Sequence, residues 1–287
     1  MKLARIAILF LTVAAVSTIA WAAQEQIKQS ELQKGSTTDP ASLPQAPEEM
    51  QGLPTAVAST EQQEDFREAF GEPDPDLRIR LGEQFLLEWP ESQLIHLMYS
   101  ALAQAYRDKN NYDKVVEYGE KCLALDPNNV TALAIVAHTL PKRLDGSGLE
   151  QAQKLSRSAR YANHGLKMID NLPRPVDSTP EVFEEIKNEF RQMCHSALGL
   201  VYLHRRMPKE SQESFELAIS MTSSPFPQDF FRLGDAYTHF SGPRDIEYDK
   251  AIGAYEKASQ LAPDTVIDQA ATDRVQQLKK TRKALGL

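Results

Sequence analysis

Two adjacent side chains, Cys194 and His195, are the first place to look for reactivity, because a thiol beside an imidazole is a pairing that activates a nucleophile. Neighbouring residues on a helix point roughly 100° apart, however, so the imidazole is not aimed at the sulfur. The pair reads as a packed histidine beside a small core cysteine. His138, His204 and His239 form a second set, since imidazoles that converge hold a metal ion or titrate near neutrality. No acidic ligand pattern accompanies them, and no metal site is assigned. Gly146-Ser147-Gly148 opens like a phosphate-cradling loop but continues Leu149-Glu150-Gln151, without the third glycine, and so reads as a turn. The signatures G-x-S-x-G, H-E-x-x-H, C-x-x-C and G-x4-G-K-[ST] are all missing from the sequence. Asn129-Val130-Thr131 is a glycosylation sequon, meaningful only in a eukaryotic secreted chain. The expectation is therefore a protein that is not an enzyme, with no catalytic residue, no metal and no cofactor.

Helical periodicity is what would position these residues. Tyr99, Leu102, Ala103 and Tyr106 fall at i, i+3, i+4 and i+7 and share one face. After a polar turn, Arg107 to Asn111, the residues Val115, Gly119 and Cys122 lie at i, i+4 and i+7, so a second helix faces the first. Asp126-Pro127-Asn128-Asn129 stops it, because proline cannot continue the hydrogen-bond ladder. The pattern then returns. Leu133, Val136, Ala137 and Leu140 are in phase with the first copy, after which Pro141 and Leu144 to Gly148 break the turn and a long helical stretch, Leu149 to Ile169, enlarges the unit. A Pro-rich loop, Asn171 to Pro180, ends it. His195, Leu198, Gly199 and Tyr202 followed by Ser211, Phe215 and Ala218 form the next copy. Phe230, Leu233, Gly234 and Tyr237 followed by Ala251, Tyr255, Ala258 and Pro263 form the last, with Pro243 to Glu247 lengthening its turn. Upstream, Glu61 to Phe70 and Asp76 to Trp89 read as a degenerate first unit burying Leu77, Leu81, Phe85 and Leu86. Downstream, Thr265 to Leu285 reads as a capping helix with Val266, Ala270, Val275 and Leu278 on its apolar side.

The run from Tyr99 to Pro127 resembles the tetratricopeptide pattern, W-x2-L-G-x2-Y followed by A-x3-F, a small residue and a closing proline. The resemblance implies an all-α fold: a right-handed α-solenoid of about five helix-turn-helix units plus a C-terminal cap, spanning residues 61–287. It also implies that the first helix of each unit lines a concave groove. The groove candidates are Ser100, Gln104 and Arg107 in the reference unit, Ala134 and His138 in the enlarged one, Ser196, Leu200 and Leu203 in the next, and Phe231, Asp235 and Thr238 in the last. Such a groove suits an extended or helical peptide. Ser100 and Gln104 stand where family members that clamp a C-terminal carboxylate carry Lys and Asn, so that specialisation is not expected. What the resemblance implies is a non-catalytic scaffold or adaptor with a protein or peptide partner, or alternatively a self-associating structural component of an envelope.

At the N-terminus, Lys2 and Arg5 precede an apolar run from Ile6 to Ile19, and Ala20-Trp21-Ala22 places small residues at the cleavage-recognition positions. Residues 1–22 are expected to be a signal peptide, making the protein exported, periplasmic or secreted. The competing reading is an uncleaved anchor facing the periplasm, since the apolar stretch to Ala23 is just long enough to span. Membrane contact is expected only through this segment, and only if it is uncleaved. Residues 23–60 are rich in Gln, Ser, Thr, Pro and Glu and are expected to form a disordered linker with a reach on the order of 35 Å. The chain carries 32 basic and 40 acidic residues, a net charge of −8 over 287 residues, which disfavours nucleic acid as a partner. Its two cysteines, Cys122 and Cys194, belong to different units and are expected to be free core residues. The basic run Arg274, Lys279, Lys280, Arg282 and Lys283 reads as the solvated, dipole-matching face of the last helix.

Overall fold

The computed structural model describes residues 59–287 except 176, 177, 240 and 241; the expected signal peptide and nearly all of the linker lie outside the described residues. Eleven α-helices follow one another among the described residues, with no strand. They are α1 (Thr60–Gly71), α2 (Pro75–Glu88), α3 (Ile95–Asp108), α4 (Tyr112–Leu125), α5 (Val130–Thr139), α6 (Gly148–Ile169), α7 (Pro180–His204), α8 (Pro208–Ser220), α9 (Pro227–Thr238), α10 (Tyr248–Leu261) and α11 (Val266–Ala284). A 3-10 turn, Leu140–Lys142, closes α5. The helices pair as five hairpins, α1/α2 through α9/α10, with α11 as the cap.

Local chemistry sets the boundaries. Asp74, Asn111 and Asn129 each accept a hydrogen bond from a backbone N–H in the first turn of the helix they precede, and Ser147 closes a reciprocal capping box with Glu150. Pro75, Pro180, Pro208 and Pro227 occupy first turns, where their missing N–H costs nothing. The α3/α4 and α7/α8 turns are the same turn. Asn110 (φ 57°) and Arg206 (φ 60°) are both left-handed. The N–H of Asn111 reaches back to the Tyr106 carbonyl and that of Met207 to the Tyr202 carbonyl, each at 2.9 Å, the six-to-one bond of a Schellman ending.

Packing within the hairpins rests on a small residue facing a ring. A Cβ placed on Gly199 would lie 2.8 Å from the Phe215 ring, and one on Gly234 would lie 2.7 Å from the ring of Tyr255. The repeat leucines occupy matching environments, Leu102, Leu198 and Leu233 all being buried. In the second unit the exchange runs the other way: Gly119 replaces the ring, and Val136 of the following unit fills the space. Cys122 and Cys194 are buried free thiols, and burial pushes both up to about 12.

The enlarged unit keeps the repeat register. Ser211 on α8 donates to the Gly199 carbonyl (2.9 Å), and Ser158 on α6 donates to the Ala137 carbonyl (2.8 Å). Ala137 and Gly199 hold the same motif position, so Ser158, Ala162 and Gly165 are the counterparts of Ser211, Phe215 and Ala218. The sequence shows only a long helix here. The structure adds that α7 begins at Pro180, well before His195, so that α6 and α7 extend together. Arg191 on α7 binds Asp170 at the end of α6 (2.6 Å) and Glu184, earlier on its own helix (2.6 Å).

One cap assignment is corrected. Val266 is 85% exposed, and the buried side of α11 is Ala271, Val275 and Leu278, with Ile267 packed beside them. The helical stripe counts back from Val275 to Ala271 and Ile267, one residue away from Val266. Part of the basic run on α11 is ion-paired to α10: Lys279 meets Glu256 (2.9 Å) and Arg282 meets Asp249 (2.6 Å).

Candidate functional site: the face of the first helices

The first helices of units two to five, α3, α5, α7 and α9, supply the candidate groove. The structure divides the ten residues assigned to it evenly. Gln104, Arg107, His138, Phe231 and Thr238 keep partial solvent access. Ser100, Ser196, Leu200, Leu203 and Asp235 are buried, as is Ala134, and their assignment to an open groove is corrected. The cause is geometric. Consecutive first helices touch along this face, so Ser100, Ser196 and Leu200 are sealed against the following unit, whereas Asp235 is covered within its own hairpin. Ser100 donates to Asn129 Oδ1 (3.3 Å), the oxygen that also caps α5. Ser196 donates to Asp229 Oδ1 (2.5 Å) on α9. Asp235 accepts from the Tyr255 hydroxyl (2.8 Å) and pairs with Arg232 (2.9 Å). Leu200 belongs to the core formed with Phe215, Leu233 and Tyr255. Phe231 lies edge-on to Tyr255 with ring centroids 5.2 Å apart, and Thr238 spends its hydroxyl on the Gly234 and Asp235 carbonyls (3.1 Å each).

Beside the sealed positions the structure assembles a polar group that spacing alone did not reveal. His138 stacks on Phe226 from the α8–α9 connection, centroids 5.6 Å apart and planes 16° from parallel, while its Nδ1 lies 3.4 Å from Lys142 Nζ. Arg107 Nη1 approaches Met193 Sδ at 3.5 Å. Around them stand Glu189, Gln192 and Ser196 of α7 and Asp229 of α9. The Gln192 amide nitrogen and the second Asp229 oxygen are buried without a hydrogen-bond partner among the described residues, which native interiors seldom tolerate.

The electrostatics follow from this enclosure. Desolvation raises the Asp229 carboxyl to about 7, against the hydroxyl of Ser196 and the nearby Lys142 cation, both of which favour the charged form. The surrounding protein pushes Lys142 down to about 8 although its side chain stays exposed to solvent, which weakens the effect, with Asp229 pulling the other way. Burial, then Lys142 and Arg107, holds His138 well below the ordinary imidazole range, so it is neutral at pH 7. Burial raises Glu189 while Arg107 opposes it. The histidines singled out in the sequence do not converge: His204 is shifted down by desolvation and by Arg232, and His239 Nδ1 lies 2.9 Å from the Asp235 carbonyl. No group of three or more potential metal ligands occurs among the described residues. Lys142 and Asp229 escape a reading by sequence because each has a simpler local role, one as part of a broken turn and the other as the acidic residue that follows Pro227 in a first helical turn.

Residues 97–129 match the family model described as Tetratricopeptide repeat. No curated protein matches the sequence. Among solved structures, TTC0263, a thermophilic TPR protein in Thermus thermophilus, is similar at 15% identity and a TM-score of 0.50, covering 75% of this chain and 98% of that one. BtubC (BKLC) from P. vanneervenii is 20% identical with a TM-score of 0.40 over 80% of this chain and 89% of that one. A MamA RS-1 ArsTM double mutant is 13% identical with a TM-score of 0.47 over 71% and 96%. At such identities the likeness speaks for fold, and the first of the three carries it. The helical stack from Thr60 to Ala284 has the fold of a tetratricopeptide-repeat α-solenoid, and within it residues 97–129 match the model of that repeat.

Proposed function

We propose that the protein is a non-catalytic scaffold that holds a protein or peptide partner against the face of its first helices. The observation that carries this reading is the convergence of Arg107, His138 and Lys142, which keep solvent access, over the buried Gln192 and Asp229, all contributed by four successive first helices and the turn after α5. The accessible groups can bind, while the reactive side chains are shut away: the Cys194 thiol is buried with its pKa raised, and the Ser196 hydroxyl that meets Asp229 is sealed with it from solvent. A preformed face of this kind lets a partner bind without ordering the receptor. The contact residues of this reading are the ones that keep solvent access, Gln104, Arg107, His138, Phe231 and Thr238. Photo-crosslinking residues at Gln104 and Thr238 should capture one common partner in the native cell, while a residue at Leu87, 82% exposed on α2, should not. Equal capture at Leu87, or adducts whose mass is twice that of the chain, would replace this reading with nonspecific contact or self-association.

The proposal extends to location. Lys2, Arg5, the Ile6 to Ile19 run and Ala20-Trp21-Ala22 support export, with residues 23–60 tethering the solenoid so that it serves assembly of an envelope complex. N-terminal sequencing of the native protein checks this. A start near Ala23 supports cleavage, Met1 in a membrane fraction supports the anchor, and cytosolic full-length chain rejects export.

A further inference from the structure

A second concavity lies on the opposite row of helices. Between α4 and α6 opens a cleft of about 800 Å³, a volume in the range of ligand and peptide side-chain pockets. Its apolar lining is Ala124, Pro127 and the Tyr161 ring, backed by the buried Leu123 and Leu133. One wall is basic. Arg157, Arg160, His164 and Lys167 follow at i, i+3, i+7 and i+10 along α6, which puts all four on one face over about 15 Å of helix. This wall exists because the enlarged unit has a long second helix.

Two members of the stripe are already engaged. Arg157 pairs with Glu120, which also accepts from the Tyr161 hydroxyl (3.2 Å), and His164 Nε2 lies 2.9 Å from Asn128 Oδ1. The other two are not. Arg160 rests its guanidinium over the Tyr161 ring, 5.4 Å from the centroid, and neither Arg160 nor Lys167 is ion-paired among the described residues. On a chain whose net charge is −8, two exposed, uncommitted cations beside an apolar hollow are a local reversal of sign.

We infer that this cleft is a second docking site, independent of the first-helix face, for an acidic amphipathic segment of a partner protein. Arg160 and Lys167 are separated by two helical turns, or about 10.5 Å, so a helical ligand matches them with carboxylates at i and i+7. Apolar side chains at i+3 and i+4 of that ligand then fall on Tyr161, Ala124 and Pro127. Aromatic, apolar and cationic groups at one hollow suit such a segment better than a lipid surface, because a planar membrane meets exposed cations but does not enter the hollow between two helices.

The test uses the full chain and a fluorescein-labelled helical peptide with Glu at i and i+7 and Leu at i+3 and i+4, read by fluorescence anisotropy. Saturable binding is expected, weakened at least about tenfold by Arg160→Glu with Lys167→Glu, as loss of close charge pairs predicts. Lys257→Glu with Lys280→Glu makes the same charge change at exposed sites outside the cleft and should leave affinity within about twofold. Ala124→Trp fills the hollow without altering charge and should weaken binding as strongly as the double reversal. No saturable binding by the wild type overturns the inference. So does equal loss in the control pair, or full binding by Ala124→Trp. Preferential sedimentation with phosphatidylserine vesicles, abolished by the double reversal while the peptide fails to bind, would reassign the stripe to a membrane and overturn it as well.

Discussion

Asp229 shows how one side chain can be conspicuous in space and ordinary in sequence. Its carboxyl ordinarily titrates at 3.8 and is raised to about 7 by burial. Between those values the native chain holds a proton that the unfolded chain lacks, so stability falls as pH rises through that window and levels off above it. Asp229→Asn keeps an acceptor for Ser196 and removes the ionisation. The stability of the variant relative to wild type should therefore grow from the ordinary carboxylate range up to about pH 7, as thermal melts across a pH series would record. A difference that does not vary with pH would mean that Asp229 is charged throughout. Gly199 is the opposite case, legible in advance from its place in the motif. Its missing side chain admits the Phe215 ring, so Gly199→Leu should cost about 3 kcal/mol in a denaturant titration, more than most overpacked positions, because the neighbour is a ring held by the hairpin core.

Among the elements, α6 and α7 depart furthest from the repeat, and a pair of hydroxyls keeps them in step. If Ser158 and Ser211 are register locks, Ser158→Ala and Ser211→Ala should each cost about 1 kcal/mol by the same measurement, since each leaves a carbonyl at one motif position without its second bond. A cost at Ser211 with none at Ser158 would show that the enlarged unit is held by other contacts. The sequence made α6 visible through its apolar period but left its register open, because the extra residues could enter before, within or after the helix. Only the bond from Ser158 to Ala137 fixes where they went. The early start of α7 was likewise hidden, since Pro180 also reads as the end of a loop.

For the molecule as a whole, stacking accounts for the cap. Ala271, Val275 and Leu278 cover the core that Tyr248, Ala251 and Tyr255 would otherwise expose at the end of the stack. Removing residues 266–287 should leave a helical but self-associating chain, with light scattering showing a mass above that of the monomer. A monomeric truncation with unchanged melting would deny α11 its capping role.

The hairpins, their order and their five-plus-cap count were fixed by local pattern: helix faces repeat every 3.6 residues, and Leu102, Leu198 and Leu233 do occupy equivalent buried sites. The motif likewise told which helix of each pair comes first. It could not tell which of its positions stay open to solvent, because that depends on how closely neighbouring first helices approach. Close approach of the first helices sealed Ser100, Ser196 and Leu200, the last hairpin covered Asp235, and the stack gathered Lys142, Gln192 and Asp229 from separate units. Periodicity specifies a face within a helix; the distance between faces belongs to the packed side chains of all the units together, and only the tertiary structure contains it.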